Sequence, residues 1–242
     1  MWTGLLSALR FLTIAPLGHE DRFDPQKAVS FFPLAGLIIG SALIAVDRIA
    51  VALWAPAAAA LVDVLFLGLV SGGLHLDGLA DTADGLYGRR TQQRALEIMK
   101  DSRIGAMGML ATMACLAAKW AGLSALTGQS AMILLVVPGY SRACVLFAMA
   151  ALPYGRPEGG TGRAFFTRPL GIVDFWGVAL VVTLSLLSGW KLFLLNTAFA
   201  VVTAALVAFY KRRMGCVTGD MLGAMIEICE AALFLLAAAG RS

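Results

Sequence analysis

Asp77, Asp81 and Asp84 sit four and then three residues apart in the stretch HLDGLADTADGLYGRRTQQRALEIMKDSRIGAMG, which runs from His75 to Gly108. On a helix this spacing stacks three carboxylates on one face. Carboxylates stacked in this way repel one another, and a hard divalent cation such as Mg²⁺ removes the repulsion. Glu97 and Asp101 form a second acidic pair, four residues apart, beyond a polar loop. If the chain reverses in that loop, two acidic faces meet around one or two metal ions. Arg89, Arg90 and Arg103 lie among the acids and supply guanidinium groups. Metal ions and guanidinium groups together neutralise a pyrophosphate while a phosphoryl group moves. The plain alternative is a charged amphipathic loop at a membrane surface. Gly72, Gly73, Gly78 and Gly85 favour the metal reading, because they let backbones approach closely around the acids.

Three further groups are candidates. His75 precedes the first aspartate by two residues. It is either an interfacial hydrogen-bonding group or a contact for substrate. Thr218 and Asp220, in GCVTGDMLGA, suit the N-terminus of a last helix: one of them caps it, or they meet a phosphate or join the metal shell. Arg142, Lys119, Glu227 and Glu230 fall inside apolar segments, where charge is costly unless paired. They can pair with one another as structure, or Arg142 can reach substrate in a polar cavity.

The elements that position these groups belong to a membrane protein. The 242 residues have a mean hydropathy of +0.82 and are only 14% charged. This composition excludes a soluble domain and implies an all-α, polytopic transmembrane bundle over 1–242 as a single domain. A net charge of +4, spread through the chain, gives no sign of a nucleic-acid partner. The four cysteines stand singly, with no C-x-x-C, and read as small buried residues. The segment 2–17 suits an interfacial helix anchored by Trp2. Taking about 20 apolar residues per crossing, seven spans are expected: about 31–53, 57–75, 104–125, 131–152, 171–189, 192–209 and 219–239. With the N-terminus cytoplasmic, 14 Lys and Arg fall inside and only Lys191 and Arg241 outside. That bias predicts an inward N-terminus, with the acidic stretch on the cytoplasmic face.

HLDGLADTADG, EIMKDSRIGAMG and TGDMLGA closely resemble the cobalamin synthases, the adenosylcobinamide-GDP ribazoletransferases. The resemblance extends over nearly the whole chain, from FFPLAGLIIG to the last span. It implies a bacterial inner-membrane enzyme that requires Mg²⁺. Such an enzyme joins α-ribazole or its 5′-phosphate to adenosylcobinamide-GDP and releases GMP. On this reading Asp77, Asp81, Asp84 and Asp101 bind metal, and Asp101 or Glu97 is the general base, with Arg103 beside it. His75, Arg89, Arg90, Arg142, Thr218 and Asp220 contact substrate. The lipid bilayer is a partner, and a homo-oligomer or an assembly with other late corrinoid-pathway enzymes is compatible with this setting. A fainter likeness links Asp81 to Gly85 to the CDP-alcohol phosphotransferases, but Gln93 stands where their second glycine should be. A lipid-synthesising enzyme of that kind is the rival reading. A small-molecule transporter using the charges within spans is the alternative from another class.

Overall fold

The computed structural model describes residues 2–17, 23–126, 130–156, 159–160, 162–186 and 190–239. Their helices are α1 (Trp2–Leu12), α2 (Pro25–Val29), α3 (Phe32–Leu53), α4 (Pro56–Val70), α5 (Leu74–Leu86), α6 (Gln92–Ile98), α7 (Ala106–Ser124), α8 (Ser130–Ala151), α9 (Trp176–Leu186), α10 (Trp190–Arg213) and α11 (Gly219–Ala238). Short 3₁₀ turns lie at Arg163–Phe166 and Ile172–Phe175. No strand occurs among the described residues, as the all-α expectation requires.

All seven expected apolar segments are helical, but not all can cross a bilayer. Among the described residues, five helices are long and apolar enough: Phe32–Leu53, Ala106–Ser124, Ala131–Ala151, Phe193–Arg213 and Gly219–Ala238. The second expected span is broken. α4 has only 15 residues, and α5 leaves it at 85°. Counted as one bent crossing, the pair makes six. The break falls at Gly72 and Gly73, whose φ angles of +61° and +78° are costly for any residue with a Cβ. The fifth expected span, 171–189, runs past the described residues at 187–189, and its described apolar run, Ile172–Leu186, falls below the crossing length. Among the described residues the count is therefore five to six, and the bend in the second span goes unseen in the sequence because hydropathy registers apolar length and not a change of axis.

α11 lies at the centre, packed against α5, α7, α8 and α10. It is buried along most of its length, from Met221 to Phe234. Halfway along it, Glu227 and Glu230 meet Lys119 of α7 and Arg142 of α8. Lys119 Nζ lies 2.7 Å from Glu227 Oε2 and 2.6 Å from Glu230 Oε2. Arg142 Nη1 pairs with Glu230 Oε1, to which Ser141 Oγ donates at 3.1 Å. All four charged side chains are at most 1% exposed. Two cations and two anions cancel, which is how ionisable groups persist in an apolar bundle.

Candidate active site

α5 presents the acids to the start of α11. Leu79, Ala80 and Thr82 bury one face of α5, which leaves Asp77, Asp81 and Asp84 on its other sides. Gly78 makes the crossing possible: a Cβ there would sit 2.8 Å from the backbone oxygen of Asp220. With both backbones this close, Asp81 comes within electrostatic range of Asp77, Asp84 and Asp220, with Arg156 as the nearby cation. The cluster thus holds four acids and one base, an excess of negative charge.

Each neighbour has a definite local cause. Thr218 caps α11, accepting from Met221 N at 3.3 Å. The cap is Thr218 and not Asp220, whose side chain turns instead to Arg156 at 2.7 Å. Arg156 is aimed by an isolated parallel bridge between Tyr154 and Val217. Gly155 N donates to Val217 O at 2.9 Å, and Val217 N donates to Pro153 O at 3.0 Å. Both oxygens of Asp84 accept backbone N–H groups at the start of α7, from Gly105 at 2.6 Å and from Gly108 at 2.9 Å. Arg90 donates to Asp84 O at 2.6 Å. Arg213 donates to the carbonyls of Arg90 (2.9 Å) and Gly88, fixing the loop between α5 and α6. The loop after α6 is pinned at both ends by cluster residues: Arg156 Nη2 donates to Met99 O at 3.1 Å, and Asp84 holds Gly105. Asp101 and Arg103 ride on this strap.

The structure separates some of the residues that the sequence groups. Asp77, Asp81, Asp84 and Asp220 share one electrostatic site. Asp101 stands apart, paired with Arg103 at 2.7 Å on the surface of the strap. Hydrogen bonds from Arg103 hold the Asp101 carboxyl down at about 2, too low for an effective general base. Glu97 is an exposed partner of Arg94 on α6, at 2.9 Å. Arg89 is exposed in the preceding loop. Arg142 belongs to the closed quartet at mid-bundle and has no exposed surface, so its expected contact with substrate is corrected to a structural pairing. His75 is buried at 3% exposure, and its Nδ1 has no hydrogen-bond partner. It lines a cavity next to Asp77 and Asp220. Arg156 and Arg213 are the residues that sequence reasoning counted only as loop charge. No short motif marks them, since each acts across more than 50 residues of chain.

Among the described residues, no three His, Cys, Asp or Glu side chains close into a ready-made ligand cage. Mg²⁺ does not need one: it keeps several waters and takes one or two carboxylates plus substrate phosphates. The crowded carboxylates of Asp77, Asp81 and Asp220, answered by one arginine, fit that mode of binding.

The sequence model of the cobalamin-5-phosphate synthase family matches residues 4–238. The chain belongs to this family. Relatives named adenosylcobinamide-GDP ribazoletransferase include one from Chlorobaculum tepidum, 36% identical over 98% of this chain and 96% of the relative. Another, from Roseiflexus, is 39% identical over 92% of this chain and 84% of the relative. A third, from Chlorobium phaeovibrioides, is 36% identical over 99% and 98%. No solved structure matches the chain. The cobalamin-5-phosphate synthase match takes in α1 through α11, so the acid cluster, the strap and the buried quartet all lie within the family's extent.

Proposed function

We infer that this chain is an adenosylcobinamide-GDP ribazoletransferase. It moves the corrinoid phosphoryl group from adenosylcobinamide-GDP to α-ribazole or its 5′-phosphate. GMP leaves, and adenosylcobalamin or its 5′-phosphate forms. Full-length likeness to relatives of that name carries the reading.

Asp77 and Asp81, with Asp220 and Asp84 beside them, are the groups that would hold Mg²⁺. Bound there, the ion supplies Lewis-acid neutralisation of a pyrophosphate. The chain's own residues do the rest. Arg89 and Arg103, exposed on the loops before and after α6, are the guanidinium groups that would meet phosphoryl oxygens, and Arg156 balances Asp220. A ribose hydroxyl attacks the phosphorus next to the aminopropanol, one P–O bond forms, and the P–O bond to GMP breaks. The hydroxyl proton passes to a carboxylate of the cluster and not to Asp101, which its pairing with Arg103 keeps weakly basic.

The setting is a bacterial inner membrane, with the N-terminus and the site on the cytoplasmic side. Arg89, Arg90, Arg94, Lys100 and Arg103 in the acidic stretch and Lys211, Arg212 and Arg213 after α10 put an excess of positive charge on this side, which supports this orientation. So does the meeting of the acidic stretch, the 153–156 segment and the 211–220 segment at one end of the bundle. The test is an assay of detergent-purified protein with adenosylcobinamide-GDP, α-ribazole and Mg²⁺. Expected are cobalamin and GMP in equal amounts, abolished by EDTA and restored by Mg²⁺. Turnover of CDP-activated lipid precursors instead would overturn the assignment.

A further inference from the structure

A slot opens beside the acid cluster, between α1, α5, α8 and α11. Its unfilled space is about 630 Å³ with the mouth counted, yet only about 60 Å³ of it has room for water-sized molecules. A space of this size suits a small ring system and not a macrocycle. Phe11, Leu12, Phe32, Met149, Phe165 and Ile226 form its walls. Three of these are aromatic and mutually packed, with Phe165 ring centres 4.5 Å from Phe11 and 5.6 Å from Phe32. The polar groups sit on the α5 and α11 sides: Asp77 and Asp220, which also belong to the acid cluster, and His75. His75 is buried, and its Nδ1 lacks a partner. A buried ring nitrogen without a partner is costly, and because His75 lines the slot, a turn of its imidazole would offer that nitrogen to a group bound there.

We propose that this slot binds the benzimidazole ring of α-ribazole, with His75 donating to the ring's free nitrogen. The inference rests on the transferase reading. Of the ring systems in the two substrates, a dimethylbenzimidazole is flat and apolar, with a single free acceptor nitrogen. It matches aromatic walls and one unpaired polar atom. Guanine would press several donors and acceptors against Phe and Leu side chains that cannot answer them. The corrin macrocycle is too wide for a slot of this kind. Because Asp77 and Asp220 lie on both the slot and the acid cluster, a ribose held at the mouth brings its hydroxyl to the carboxylates.

The experiment measures KM for each substrate separately. Ile226→Phe narrows the slot without touching an acidic residue. It should raise KM for α-ribazole at least ~tenfold, the scale on which an apolar pocket rejects an oversized ring, and leave KM for adenosylcobinamide-GDP unchanged. Phe165→Ala should do the reverse, accepting a riboside of a larger fused ring that the parent enzyme rejects. His75→Leu should lose the parent's preference for α-ribazole over the matching indole riboside, which lacks the acceptor nitrogen, whereas His75→Gln should retain it. If any of these variants folds poorly, the analogue series on the unaltered protein still decides the matter. Strong discrimination by ring width supports the slot, and indifference to it overturns the proposal. A rise in KM for the corrinoid substrate alone would assign the slot to guanine or corrin. No change in either KM would leave it to a lipid chain. Both results sink this inference without touching the transferase reading, which fails only if the unaltered protein makes no GMP.

Discussion

α11 carries two sets of acids that behave in opposite ways. Glu227 and Glu230 are matched by Lys119 and Arg142, closed off from water and neutral as a group. Asp220, two to three turns earlier, joins Asp77, Asp81 and Asp84; among the described residues Arg156 is the cation paired with a carboxylate of this group, and the N–H groups at the start of α7 answer Asp84 alone. The first set is complete and holds the bundle together. The second is incomplete, and a cation or a cationic complex would complete it. The difference shows that acids in a membrane protein announce function through unmatched charge more than through depth.

The sharpest way to break this contrast is at its buried end. Lys119→Met leaves Glu227 without its cation, two carboxylates facing Arg142 alone in the apolar interior, and should cost about 3–5 kcal/mol of stability. Thermal unfolding in detergent would read this loss, and a melting point equal to the parent's would refute the structural role. At the open end the sign of the stability effect reverses. Asp81→Asn should lower turnover about 10²–10³-fold, the typical cost of losing one preorganised electrostatic group. Its melting point without Mg²⁺ should match or exceed the parent's, because one repelling charge has gone. Activity within a few fold of the parent would remove Asp81 from the site.

Gly78→Ala tests the join between the two regions. The added Cβ meets the Asp220 backbone at 2.8 Å, an overpacking worth about 1–3 kcal/mol, and should depress both stability and turnover. If both are untouched, α5 and α11 do not cross as described. The smallest effect is expected of Glu97→Gln on the outer face of α6. Its stability should stay within about 0.5 kcal/mol and its rate near the parent's. A large loss of rate would restore Glu97 to the catalytic set.

Local rules made much of this legible beforehand. Hydropathy located every long helix. The four-and-three spacing put Asp77, Asp81 and Asp84 together on α5, and the apolar context of Lys119, Arg142, Glu227 and Glu230 suggested the pairing they adopt. The sequence misled where geometry depends on distant partners. Glu97 and Asp101 have the spacing of a second acidic face, but Arg94 and Arg103 are nearer and claim them first. Arg142 read equally well as a substrate contact until Glu230 was seen to enclose it. Arg156 carries no motif, because it is aimed by one short bridge between Tyr154 and Val217. The double-glycine turn was visible as residues, but nothing local fixes the 85° it produces.

The mid-bundle quartet also limits how the molecule can move. A helix riveted to two neighbours by desolvated charges can neither slide nor rotate without prising ions apart in oil. α11 and its threonine-capped tip therefore form a fixed anvil. Any reshaping needed to admit something as broad as a corrin falls to the opposite bank: α5 beyond its glycine break, α6, and the tethered loop that follows.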